Sequence, residues 1–247
     1  MAIGRSPLPS GTLSRRGMLG GSLAFALPAM FDIQTTAAAQ EPEVTELLAA
    51  ASERLAAVQS MHFTLDVEGE TLIDDSGAIR LESAEGDMAR PDKVAVEFRV
   101  SIFGAGSVSI RMITIGDTSW TTDLITGNWG DAPPEFGYNP SVLYDNQDGL
   151  GPVMGKLENA TIANTEEVND RQAYLVQGTV NSATISKLTA DTMGGEDVAI
   201  ELWIDEETND ILRVRLEEGE VEGKDEPAVW TLNLSDFDQE VSIEPPS

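Results

Sequence analysis

The residue types that carry most enzyme chemistry are scarce in this sequence. It contains a single histidine, His62, and no cysteine. A thiolate nucleophile, an iron–sulfur cluster, a disulfide framework and a cysteine-based zinc site are therefore excluded. His62 could act as the base of a Ser-His-Asp triad, but no G-x-S-x-G motif supplies the serine. A histidine at the surface, or at a helix–strand junction, explains this position more simply.

Carboxylates are abundant, but their spacing does not favour a catalytic or metal site. Pairs such as Asp74-Asp75 and Glu166-Glu167 lie in polar turns, where solvated side chains are expected. The segment 145–149, DNQDG, has glutamine at its third position and lacks the distal glutamate of an EF-hand loop. We therefore predict no catalytic residue, no metal site and no cofactor, although acidic turns can bind calcium weakly.

The balance of charge excludes several kinds of partner. The chain has 247 residues, with 43 Asp and Glu against 15 Lys and Arg, and a formal net charge of −28. A nucleic-acid-binding protein needs a basic face to neutralise phosphates, and anionic lipid headgroups also repel an acidic chain. We therefore predict no nucleic-acid partner. With 41% hydrophobic residues, the chain is long enough to fold around a core.

The first residues of the chain have the features of an export signal. Adjacent arginines precede a weakly apolar stretch at 19–31, and an A-x-A motif ends at Ala39. This pattern is typical of the twin-arginine type of signal. We predict a signal peptide over 1–39, cleaved after Ala39, and a single domain over 40–247. The alternative is a disordered cytoplasmic tail.

Apolar residues at steps of three and four predict one long helix over 42–59. Shorter apolar faces predict a helix over 149–158 and another that starts with a capping side chain at 181–182 and runs to Met193. A further short helix could start within 140–144, after a loop rich in proline and glycine.

Elsewhere the apolar period is two, which predicts about ten short strands at hairpin spacing. The predicted strands cover 61–67, 78–88, 94–102, 108–115, 118–124, 160–168, 173–180, 198–205, 211–217 and 228–237. Strict alternation gives each strand one wet face and one dry face, as in an antiparallel sheet. The predicted fold is α+β, a curved antiparallel sheet with helices packed on its concave face.

The order of these elements resembles that of the LppX/LprAFG lipoprotein family over roughly residues 43–246. The resemblance rests on the following short stretches: SMHF at 60–63, NWGD at 128–131, YNPS at 138–141, DGL at 148–150, AIELWID at 199–205 and TNDIL at 208–212. No one of these stretches is specific, but their order and spacing are typical of the family.

The resemblance implies a half-barrel, similar to LolA-like carriers, with an apolar cavity between the sheet and its helices. It implies a carrier of acylated lipids or glycolipids rather than an enzyme, which could be loaded by a membrane transporter. We expect a monomer that is exported and is secreted, periplasmic or associated with the cell envelope. The family's lipobox cysteine is missing, so we do not expect a lipid anchor attached through cysteine.

The inward positions of the best strands and short helices are the candidate lining of this cavity. They are Phe63, Leu65, Val67, Val96, Phe98, Val100, Ile110, Met112, Leu143, Leu150, Val153, Met154, Leu157, Leu188, Val198, Ile200 and Leu202. Flexible methionines suit a pocket that accepts different acyl chains. The alternative is that these residues form an ordinary packed core.

Two other functions stay open at this point. One is an envelope interaction or sensing module of the same fold, whose interior is filled by its own side chains. The other is a hydrolase that uses Ser, Asp or Glu chemistry. The loop and helix start at 131–151 form the candidate portal of a carrier, because loops open more readily than strands.

Overall fold

The computed structural model describes residues 42–73, 77–103, 106–132, 142–143, 145–222, 224 and 226–247. They lie in one compact unit, Glu41–Ser247, and a second unit, Met1–Gln40, falls outside the described residues. The predicted signal peptide therefore lies outside the described part of the chain. Most of the predicted helix at 140–144 also lies outside it, as do residues 133–141 and 144 of the candidate portal.

The long helix, α1, spans Val44–Ala57, close to its predicted range. Its buried side chains, Leu47, Leu48, Ala51 and Leu55, form the stripe that the spacing predicts. The first strand begins only three residues after the helix ends, so the two elements meet at a tight junction.

Eleven antiparallel strands form a single open sheet, in the order β6-β5-β4-β3-β2-β1-β11-β10-β9-β8-β7. The strands are β1 Ser60–Glu68, β2 Ile79–Ala89, β3 Lys93–Ile102, β4 Gly106–Ile115, β5 Thr118–Thr122, β6 Trp129–Asp131, β7 Glu158–Val168, β8 Arg171–Asn181, β9 Asp197–Asp205, β10 Ile211–Glu217 and β11 Val229–Ser235. Neighbours in the sheet are neighbours in sequence, except that β1 pairs with β11. This pairing joins the two ends of the domain at the middle of the sheet, and the α+β prediction is confirmed.

Four details of the sequence prediction are wrong. Glu166 and Glu167 lie on β7 rather than in a polar turn. The strand β6 was not predicted, since three residues are too few to show an alternating pattern. Helix α2, Leu150–Met154, is shorter than predicted because β7 already begins at Glu158. Helix α3 covers only Ser182–Ile185, because the positive φ angles of Ala190 and Asp191 do not fit a helix. The predicted cap of α3 is confirmed, with the side chain of Asn181 accepting from the amide of Ala183 at 3.1 Å.

The two faces of the sheet carry cores of different size. The main core combines the inner face of the sheet with the buried side chains of α1, α2 and α3. A smaller cluster lies on the opposite, outer face and consists of Val168, Ala173, Leu175, Trp203 and Leu212. Trp203 donates its indole N–H to Glu166 at 2.8 Å, so the rim of this outer cluster is polar.

Candidate functional site

The inner face is built around one continuous line of apolar side chains that crosses nine strands. In register from β7 to β4, the line consists of Ile162, Val176, Leu202, Val214, Leu232, Leu65, Ala84, Phe98 and Ile110. We call it the central apolar row. Because side chains alternate between faces, register alone places all nine on one side of the sheet.

The central apolar row contains one short side chain. Ala84, its smallest member, lies between Leu65 on β1 and Phe98 on β3. Ala84 is buried, whereas Leu65 and Phe98 are only partly buried. The row therefore has one short side chain between two larger ones that are incompletely covered.

Every residue of the predicted cavity lining belongs to the main core. The following are buried: Phe63, Val96, Val100, Ile110, Met112, Leu150, Val153, Met154, Leu188, Val198, Ile200 and Leu202. The following are partly buried and pack against that core: Leu65, Val67, Phe98, Leu143 and Leu157. The structure therefore brings together the strand residues and the helix residues that the sequence pattern assigned to one surface.

Sequence reasoning missed the inner positions of five strands. The central apolar row is completed on β2, β7, β8, β10 and β11 by Ala84, Ile162, Val176, Val214 and Leu232. On β8, Leu175 and Val176 are both apolar although they face opposite sides of the sheet, so the sequence shows no alternation there. Alanine is too weakly apolar to mark a face by itself.

A crevice of about 140 Å³ separates α1 from α2. Its lining combines apolar and polar residues, namely Ser52, Leu55, Ala56, Asp145, Asn146, Gly151 and Pro152. Pockets for drug-sized ligands measure about 300–1,000 Å³, so this crevice is too small for a diacyl lipid. It borders the described end of the candidate portal, where the carboxylate of Asp145 accepts from the amides of Gln147 and Asp148 at 2.8 Å.

One hydroxyl on the inner side of the sheet has no partner within the described residues. The Oγ1 atom of Thr121, on β5, is buried and makes no hydrogen bond there. Thr121 pairs with Met112, which belongs to the candidate lining. A buried hydroxyl without a partner is costly, so this position suits contact with a polar group.

Two arginines and two buried aspartates fix α1 to the turn between β9 and β10. Arg54 donates to Asp210 at 2.7 Å, and Arg171 donates to Asp210 at 2.9 Å and to Asp205 at 2.8 Å. Burial opposes ionisation, but donation from Arg171 and Thr208 outweighs it, so the pKa of Asp205 is lowered. The ionised network orients the long helix over the inner face.

A second buried carboxylate connects two loops at the opposite end of the sheet. Glu218 is 4% exposed and accepts from the amides of Gly194 at 2.7 Å and Ala228 at 2.9 Å. It also pairs with the ammonium group of Lys224. Burial raises the pKa of Glu218, but donation from Ala228, Lys224 and Gly194 outweighs burial and lowers it. Asp205, Asp210 and Glu218 are therefore buried carboxylates, although no local signal in the sequence distinguishes them from solvated acidic residues.

His62 lies beside two carboxylates on the outer face of β1. Its Nδ1 atom is 2.8 Å from Asp87, and its Nε2 atom is 3.7 Å from Glu85. In a Ser-His-Asp triad Nε2 would face a serine hydroxyl rather than a carboxylate. This geometry fits the surface histidine that we preferred from sequence.

The described residues hold no cluster of three or more metal-ligating side chains. In this same part of the chain, no helix has the length and apolar character needed to cross a membrane.

The comparison with known families decides the family. The model of the LppX_LprAFG lipoproteins matches residues 43–243. The chain belongs to this family. The match spans the whole sheet together with α1, α2 and α3, so the LppX_LprAFG fold accounts for every element described above.

Relatives and solved structures of the family agree with this assignment. The lipoarabinomannan carrier protein LprG of Mycolicibacterium smegmatis is 24% identical over 242 residues, which cover 90% of this chain and 97% of LprG. The crystal structure of LprF from Mycobacterium bovis superposes with a TM-score of 0.67 at 21% identity, over 84% of this chain and 98% of LprF. LppX of Mycobacterium tuberculosis gives a TM-score of 0.59 at 14% identity, over 83% of this chain and all of LppX (100%).

Proposed function

We propose that this protein is an exported carrier that holds an acylated lipid or glycolipid between the inner face of its sheet and its helices. Its role is binding and transport in the cell envelope, not catalysis. The observation that carries the proposal is the central apolar row, which presents nine successive strands with apolar side chains on one face. Membership of the family supports it, because the relative LprG is a lipoarabinomannan carrier.

The dimensions of the fold also support a ligand on this face. At about 4.8 Å between strands, eleven strands span on the order of 50 Å. Helix α1, with 14 residues, is about 21 Å long and about 10 Å wide. The helices that the structure describes are therefore small relative to the apolar face beneath them. An acyl chain on this face gains about 0.8 kcal/mol for each methylene that leaves water.

The polar part of such a ligand would lie near β5. The hydroxyl of Thr121, which has no hydrogen-bond partner among the described residues, is beside the lining residue Met112, so it offers a hydrogen bond to a glycerol or sugar oxygen. We further propose that the carrier is a monomer without a lipid anchor attached through cysteine and that a membrane transporter loads or unloads it.

A second candidate function is a sensing or interaction module whose interior is filled by its own side chains. The observation that favours it is the deep burial of most predicted lining residues, such as Val100 and Val153 at 0% and 1% exposure. The two functions differ in whether space exists above the central apolar row.

Enlarging Ala84 separates the two functions. In a carrier, Ala84→Leu should lower the affinity for a diacyl lipid with a fluorescent acyl chain by about tenfold, because the new side chain occupies the ligand's place. Its melting temperature should change little. The matched control is Ala95→Leu on β3, since Ala95 lies on the opposite face, between Val94 and Val96. This control should bind the lipid like the wild type.

In a filled interior the same enlargement overpacks the core and costs about 1–3 kcal/mol of stability. A destabilised Ala84→Leu variant, together with a wild type that does not bind the fluorescent lipid, would contradict the carrier function and support the sensing module. Equal lipid binding by Ala84→Leu and Ala95→Leu would contradict the placement of the ligand over the central apolar row, because the ligand would then lie elsewhere.

A further inference from the structure

The large apolar side chains that are exposed in the described residues all lie at one end of the sheet. They are Leu72, Phe103, Leu124 and Ile125, with exposures of 40%, 93%, 40% and 92%. Leu72 lies between β1 and β2, Phe103 between β3 and β4, and Leu124 and Ile125 between β5 and β6. Alternate connections of an antiparallel sheet share an end, so these three connections extend toward the same end of the sheet. We call the four residues the apolar rim.

The turn that carries Ile125 is held in a defined shape. The carboxylate of Asp123 accepts from the amides of Ile125 at 3.1 Å and Thr126 at 2.8 Å, and from the Thr126 hydroxyl at 2.9 Å. The backbone amide of Gly127 donates to the carbonyl of Asp123 at 2.9 Å. The polar groups of the turn are therefore hydrogen-bonded to one another, and the side chain of Ile125 is exposed to solvent.

The turn that carries Phe103 is hydrogen-bonded to the neighbouring part of the sheet, and it lies in a stretch of sequence without charged residues. The amide of Phe103 donates to the carbonyl of Ala78 at 3.0 Å, which fixes the base of the turn. Between Arg99 and Arg111 the sequence contains no charged residue, although 23% of the whole chain is charged. The nearest charged neighbours in sequence are therefore both basic, in a chain whose net charge is −28.

We propose that the apolar rim is a membrane-docking edge, whose tips insert into the interfacial region of a lipid bilayer. A bilayer accepts isolated apolar side chains, because each gains free energy from its own burial. A protein partner instead needs a continuous packed patch of about 800 Å² with its strongest contacts at the centre. The rim consists of separate tips on three turns, and the uncharged stretch between two arginines suits the region between headgroups and acyl chains.

This docking differs from electrostatic attachment to anionic lipids. The acidic chain is repelled by a negative surface, so apolar insertion has to supply the affinity. The inference goes beyond the proposed cargo, because docking through the rim does not require an occupied cavity. The docking proposal and the carrier proposal can fail separately, since lipid-free protein could still dock and lipid-loaded protein could fail to dock.

The absence of cysteine from the chain allows a site-specific test. In the full chain, Ile125→Cys carries an environment-sensitive fluorophore on the rim, and Asp117→Cys carries the same label on an exposed turn at the opposite end of the sheet. Phosphatidylcholine vesicles should increase the emission of the label at position 125 and leave the label at position 117 unchanged. Binding to phosphatidylglycerol vesicles should be weaker at low salt.

Changes at Phe103 test the rim without touching the label. In the chain labelled at position 125, Phe103→Ser should lower the vesicle partition coefficient by about tenfold, whereas Phe103→Leu should retain most of it. An unchanged circular dichroism spectrum and melting temperature show that both variants are folded. The proposal is overturned if position 125 shows no change, if both labelled positions respond equally, or if Phe103→Ser binds like the parent. Crosslinking of position 125 to a protein, without any response to vesicles, overturns it in favour of a protein partner.

Discussion

Arg54 donates from Nε to Oδ1 of Asp210 over 2.7 Å, across 156 residues of sequence. This contact joins the last turn of α1 to the turn between β9 and β10, and the second nitrogen of the same guanidinium reaches Asp238 at 2.8 Å, beyond β11. Burial acts to lower the pKa of Arg54, but its hydrogen bonds to the carboxylates of Asp238 and Asp210, together with their negative charges, outweigh burial and raise it. Arg54 therefore connects the end of α1 to two segments that are distant in sequence.

Removing this contact should destabilise the domain. In Arg54→Met the buried carboxylate of Asp210 keeps Arg171 but loses one charged donor, so the free energy of unfolding should fall by about 1–2 kcal/mol. Urea unfolding followed by circular dichroism measures this loss. The matched control is Arg99→Met, because Arg99 is 64% exposed and lies 3.7 Å from Glu82. The control should change stability by less than about 0.5 kcal/mol, and equal losses in both variants would contradict the role of Arg54.

Glu218 should contribute stability that depends on pH. Because its pKa is lowered in the folded protein, the folded state binds fewer protons than the unfolded chain, and the contribution increases with pH. It is complete above the ordinary value of 4.5 and is lost as the pH falls through the folded pKa. Glu218→Gln should therefore lose about 1–3 kcal/mol at neutral pH, and its difference from the wild type should shrink below pH 4.5. Urea titrations between neutral pH and about pH 3 give this difference, and a difference that is constant with pH would contradict the account.

Gly86 should tolerate no side chain. It lies on β2 next to Val96 on β3, and a Cβ atom there would be 2.2 Å from the carbonyl oxygen of Ala95. Because the obstacle is a backbone atom, Gly86→Ala should lower the free energy of unfolding by about 2–4 kcal/mol.

Gly130 on β6 is the control, since a Cβ atom there meets nothing within 4 Å. Gly130→Ala should leave stability unchanged or raise it by up to about 1 kcal/mol. Thermal unfolding of both variants measures the contrast, and similar melting temperatures would show that β2 and β3 can separate at this point.

The sequence pattern predicted most of the fold because alternation is a local property. Strands β3 and β4 carry mostly apolar residues on the inner face and mostly polar residues on the outer face, and both were predicted within two residues of their observed bounds. Strand β6 escaped prediction because it is too brief to show a period, and α3 was predicted to be longer than it is. The pairing of β1 with β11 follows from no local signal, because it joins segments that are more than 160 residues apart.

The candidate site was predicted where it depends on alternation and missed where it depends on tertiary contacts. Phe98 and Leu202 could be assigned to the inner face from their own strands. The buried partners Asp205 and Asp210 resemble ordinary turn residues in sequence, and only the folded chain brings Arg54 and Arg171 to them. The apolar rim was equally invisible, because exposure of Phe103 is a property of the assembled sheet.

Native mass spectrometry of the protein purified from its own host tests whether it carries a lipid. Part of the protein should show an added mass equal to one acylated lipid or glycolipid, which organic extraction releases. Ala84→Leu should carry less of this ligand than Ala95→Leu prepared in the same way. A wild-type protein that is ligand-free in every preparation, and that takes up no lipid when mixed with host lipid extract, would contradict the carrier function.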